Sequence, residues 1–99
     1  MKYLITESKL NKVIFKYLDN QDFIQIEKGD RIYFVNSKND KDVQILYDKI
    51  HKKCYISANL VREISSFFSV DETSLRPIIS RWVDNTLQMK VTKTIQVGL

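Results

Sequence analysis

Cysteine, histidine, proline and glycine are all scarce in this chain of 99 residues: one Cys, one His, one Pro and two Gly. A single cysteine closes no internal disulfide, so the thiol content does not argue for an oxidising compartment. One Cys and one His also fall short of the four ligands of a structural zinc site. With so little Gly and Pro there is no linker, repeat or low-complexity tract, and connections must be tight. No apolar run approaches the about 20 residues of a membrane span. The opening Met1-Lys2-Tyr3-Leu4-Ile5-Thr6-Glu7 has one Lys and no long apolar stretch, which predicts no signal peptide. Gly-rich phosphate loops, HExxH, GxSxG and EF-hand patterns are missing too. No carboxylate pair is placed by a recognisable acid–base motif, and a chain this small has little volume for a pocket. The expectation is no enzyme, no cofactor, no metal and no small-molecule substrate.

What is present describes one globular domain over residues 1–99. Hydrophobic residues at 43% and charged residues at 28% are ordinary for a soluble protein and exclude disorder. Sixteen Lys+Arg against twelve Asp+Glu give a net charge of +4. The densest basic spot is Lys49, His51, Lys52 and Lys53. It reads either as a solvated turn between strands or as a contact for phosphates.

Periodicity orders the chain α-β-β-β-β-α-α-β. Thr6 can cap a first helix in which Leu10, Val13, Ile14, Tyr17 and Leu18 form one apolar stripe. Phe15 falls off that stripe and is the candidate interaction surface. A hairpin follows, Phe23 to Glu27 and Arg31 to Val35, turning at Gly29. In it Ile24 and Ile26 face one way, as do Ile32 and Phe34. Asn36 to Asp42 reads as a polar loop. Val43, Ile45 and Tyr47 begin a third strand, and Cys54-Tyr55-Ile56 is a short fourth.

The period then lengthens to about 3.6. Ser57 can cap a helix with Leu60, Val61, Ile64, Phe67 and Phe68 on one face. Leu75, Ile78, Ile79, Trp82 and Val83 mark another, and Pro77 within its first turn predicts a cap at Thr73 or Ser74. Met89, Val91, Ile95 and Val97 alternate with polar residues in a last strand, where Lys93 breaks the apolar face and points to a sheet edge. The fold class is α+β: an N-terminal helix, an antiparallel sheet of four to five strands, and a C-terminal helical hairpin packed on one face.

Val61 to Trp82 also has the spacing of a helix–turn–helix unit. Ile64, Phe68, Val70, Leu75 and Ile78 fill its apolar positions, and Ser65 is the small residue at the crossing. Such a unit would expose Arg76 and Arg81 to guanines or phosphates, with Lys52 and Lys53 as further phosphate contacts. Three features favour a plain helical hairpin instead. Ser69 stands where the turn usually has Gly, Pro77 interrupts the second helix, and Asp71-Glu72 puts negative charge at its start.

Two smaller constellations have bland counterparts. Tyr33, Tyr47 and Tyr55 suit a stacking platform for single strands, but strand Tyr is also what β-propensity gives unaided. Cys54 beside His51 has the residues of a nucleophile and its base, yet no third orienting group accompanies them. As a neighbour of Tyr55 and Ile56, Cys54 reads as a small buried hydrophobe.

Tyr3-Leu4-Ile5-Thr6-Glu7-Ser8-Lys9-Leu10 resembles the start of many short proteins of marine tailed phages, and Ile64 to Ser69 through Arg81-Trp82-Val83 is similar to segments in them. The resemblance implies a viral or marine-metagenomic source and a cytoplasmic setting in a bacterial host, and it brings no activity with it. The expectation is a non-catalytic accessory protein that binds a protein partner or itself, without membrane association. The alternative is nucleic-acid binding through residues 61–82.

Overall fold

The computed structural model describes residues 7–36 and 39–98. Its elements are α1 (Glu7–Asp19), β1 (Ile24–Lys28), β2 (Arg31–Asn36), β3 (Asn39–Asp48), β4 (Lys53–Ser57), α2 (Ala58–Phe68), α3 (Glu72–Leu87) and β5 (Lys93–Val97). This is the α+β order that periodicity predicts. Thr6, the expected cap of α1, lies outside the described residues. The stretch read as a polar loop from Asn36 to Asp42 is mostly strand, because ladder hydrogen bonds need no apolar side chain.

The sheet runs β1-β2-β3-β4-β5 and is open at both ends. Its first four strands form an antiparallel meander, turned between β1 and β2 at Gly29, whose φ of 59° suits a residue without Cβ. β5 joins β4 in parallel, so the sheet is mixed. Parallel neighbours need a crossover connection, and α2 with α3 is that crossover. The predicted edge position of the last strand is present.

Register sorts the regularly paired strand residues onto one of two faces. Ile32, Tyr47 and Cys54 align across β2, β3 and β4, as do Phe34, Ile45 and Ile56. These six join Ile14 and Leu18 of α1, Leu60, Val61 and Ile64 of α2, and Leu75, Ile78, Ile79, Trp82 and Val83 of α3 in one buried cluster. All three helices therefore pack on this inner face.

The outer face holds the alternate residues. Ile26, Tyr33, Leu46, Tyr55 and Ile95 stand side by side across all five strands, half-buried and apart from the core. This corrects the expectation for the first hairpin: Ile24 pairs with Val35 and Ile26 with Tyr33, on the face opposite Ile32 and Phe34. Alternation fixes which residues share a face within a strand, but only register decides which face that is.

Three helix expectations change as well. In α1, Ile14 and Leu18 are buried while Val13 is 38% exposed, and Phe15 is half-buried against the core instead of standing apart from it. α3 starts at Glu72 with Asp71 at the cap position, ahead of Thr73 and Ser74, which leaves Pro77 inside the helix. Met89 and Val91 precede β5, and Val91 packs against the core.

Long-range polar contacts lock the C-terminal part onto the meander. The Tyr47 hydroxyl donates to the Lys90 carbonyl at 2.6 Å, and Thr92 donates its N–H to the Lys52 carbonyl at 2.7 Å. Gln96 reaches from β5 to the Glu72 carboxylate of α3 at 2.9 Å.

Candidate functional site

Consecutive helical residues point about 100° apart, so Phe67 and Phe68 at the end of α2 cannot both face the core. Phe68 turns inward and packs against it, while Phe67 is left 71% exposed. Phe67 is not alone there. Its ring lies 4.9 Å from that of Phe68 and 5.6 Å from that of Tyr17 on α1. Tyr17 also meets Phe68 edge-on at 5.6 Å. Tyr17, Arg62, Glu63, Ser66 and Phe67 line a shallow groove of about 490 Å³ at this α1–α2 seam. Burial, and secondarily the Glu63 carboxylate, raise the Tyr17 phenol above its ordinary 10.0. The groove is therefore an aromatic floor with one cation and one anion on its rim.

A second surface lies on the far side of the sheet. Two residues along each strand from the Ile26-Tyr33-Leu46-Tyr55-Ile95 row, the residues Lys28, Arg31, Asp48, Lys53 and Lys93 align across the same five strands. None of these four cations forms an ion pair among the described residues. The Tyr33 side chain, and less strongly those of Asp48 and Tyr55, hold the Arg31 guanidinium above its ordinary value. Asp48, the one acid of the row, is turned to the β3–β4 connection. Its Oδ1 accepts from the Ile50 N–H at 3.0 Å and its Oδ2 meets His51 Nδ1 at 2.9 Å.

The residues singled out from sequence are scattered by the fold. Lys53 belongs to the outer sheet face, and Lys52 is exposed in the β3–β4 turn with φ of 54°. Arg76 is half-buried and Arg81 exposed on α3, in the helical layer, with Arg81 Nε donating to the Pro77 carbonyl at 3.3 Å. The sheet separates Lys53 from the two arginines. Of the three tyrosines, Tyr33 and Tyr55 share the outer face, whereas Tyr47 is buried on the inner one.

Cys54 is fully buried on that inner face, where burial pushes its thiol up to about 12. His51 is exposed and hydrogen-bonds to Asp48. The fold does not join the two into a nucleophile and base.

The helical hairpin of residues 61–82 is built without its missing glycine. Ser69 adopts the left-handed conformation, φ 55° and ψ 49°, that Gly usually supplies. The Ser65 carbonyl accepts the N–H groups of Ser69 and Val70, and the Ser65 hydroxyl donates to the Val70 carbonyl. At the start of α3, the Glu72 carboxylate is tied to Gln96 of β5. The helix end that would enter a groove is thus anionic and set against the sheet edge.

Among the described residues no three His, Cys, Asp or Glu side chains gather into a group able to hold a metal ion, and no helix is long and apolar enough to cross a membrane. The chain matches no protein-family model, no curated protein and no solved structure.

Proposed function

We propose that this is a non-catalytic accessory protein of tailed-phage type that acts through protein–protein contacts, and that the contact is the Tyr17–Phe67–Phe68 patch between α1 and α2. One observation carries the reading: Phe67 is 71% exposed while in ring contact with two further aromatics. A contiguous apolar patch at the surface marks an interaction site more often than a single exposed residue does. Tyr and Phe clusters of this kind supply the anchors of many interfaces.

The partner is a second copy of the chain. Arg62 and Glu63 sit next to each other on the rim, so two copies related by a two-fold axis pair Arg62 with Glu63 reciprocally around apposed Phe67 rings. Sedimentation or light scattering over a concentration series tests this. The intact protein is expected to move from 11.7 kDa toward twice that mass, and Phe67→Glu to stay at 11.7 kDa with an unchanged melting curve. A monomer at every concentration overturns the self-association. A dimer that survives Phe67→Glu moves the contact elsewhere, with the open β5 edge as the next place to look.

A further inference from the structure

We propose that the outer face of the sheet binds single-stranded nucleic acid, with phosphates along the Lys28–Arg31–Lys53–Lys93 row and bases on the rings of Tyr33 and Tyr55. This site is independent of the α1–α2 patch and lies on the opposite side of the sheet. An apolar row alone would suit any hydrophobic partner, and a cationic row alone any anion. Here the two rows run parallel, two residues apart along each strand, across all five strands.

The spacing suits a nucleotide chain. Two residues along a strand cover about 6.7 Å, which sets the cations beside the rings rather than over them. Tyr33 and Tyr55 are separated by the strand that carries Leu46, about 9.5 Å, so each ring is open to its own base. Leu46 fills the floor between them, with Ile26 and Ile95 at its ends. Aromatic rings beside a basic track are how single strands are held without sequence preference.

Charge decides between occupants. Four cations against the single carboxylate of Asp48 leave the row strongly positive, and that carboxylate is already engaged by His51 and the turn. A second copy of this face would meet like charge. A duplex keeps its bases stacked inside and would leave the tyrosines without partners.

The test is a fluorescence-anisotropy titration of the full chain with labelled oligothymidylate and oligouridylate of about 12 nucleotides, and with a duplex of the same length. Single strands are expected to bind more tightly than duplex, whether DNA or RNA is preferred. Binding should weaken with salt at about 0.7 log units per log salt for each phosphate neutralised, a total slope of about 2 to 3. Arg31→Gln and Lys93→Gln, both at exposed positions, should each reduce that slope by about 0.7. Tyr33→Leu with Tyr55→Leu should weaken single-strand binding about tenfold or more while preserving the melting curve. Four results overturn the proposal: no binding at low salt, equal affinity for duplex, equal competition by polyglutamate, or losses on Arg76→Ala and Arg81→Ala in place of the sheet variants.

Discussion

The indole Nε1 of Trp82 donates a hydrogen bond to the Asp19 carboxylate at 2.9 Å, joining the last residue of α1 to the middle of α3. The ring of Trp82 is 5% exposed and packs against Phe34 and Phe23 at 5.5 and 6.0 Å. This one side chain therefore holds α1, α3 and β2 together.

Asp19→Ala leaves that part-buried N–H without its acceptor and is expected to cost about 1 kcal/mol, whereas Asp19→Asn keeps an acceptor oxygen and should cost less. Urea unfolding followed by the fluorescence of this lone tryptophan measures both. Equal losses for the two variants would assign the effect to charge instead of the hydrogen bond.

Ser69→Gly is expected to stabilise the protein by about 1 kcal/mol, because a left-handed residue with a Cβ is strained and Gly is not. Thermal unfolding of the variant checks it. A loss of stability would mean that the Ser69 side chain supports the α2–α3 turn in its own right.

The fold changes the titration of Asp48 at low pH. Its hydrogen bond to the His51 ring, then those to the His51 and Ile50 N–H groups, hold the carboxyl below its ordinary 3.8. A folded value below the unfolded one gives stability that is present above pH 3.8 and lost as pH falls through the folded value. Protection of the Ile50 and His51 amides, taken relative to their intrinsic exchange rates at each pH, should therefore fall below that pH, and Asp48→Asn should abolish that fall.

With its thiol at about 12 and no exposure, Cys54 should resist alkylation near neutral pH until the protein unfolds. The measurement is the rate of iodoacetamide labelling with and without urea. Fast labelling of the native state would place Cys54 at an accessible position that this fold does not have.

The tyrosines show how far the sequence reaches. Alternation places Tyr47 with Ile45, and Tyr33 opposite to Ile32 and Phe34, from local pattern alone. That Tyr33 and Tyr55 share a row, and that Tyr47 lies beneath the helices, follows from pairings between strands distant in the chain. No single strand carries that information. The same holds for β1, whose isoleucines look like core until the register with β2 turns them outward.

The exposure of Phe67 is not written in its spacing. That residue follows Leu60 and Ile64 at helical spacing, and nothing local says that the buried stripe gives out before it. At the end of α2 its ring meets Tyr17 and Phe68 and stays 71% exposed, a fact of tertiary packing. Pro77 points to a later helix start than α3 has, since a proline normally marks the first helical turn. α3 tolerates it further in, beyond Glu72 to Arg76.

The parallel pairing of β5 with β4 has a consequence for synthesis. A chain emerging from the ribosome can complete the β1–β4 meander at once, but β5 arrives only after both C-terminal helices. Until then β4 presents a bare edge, open to strands of neighbouring nascent chains. Crowded translation of one message would favour such mispairing, and a chaperone that covers β4 until the last strand docks would relieve it.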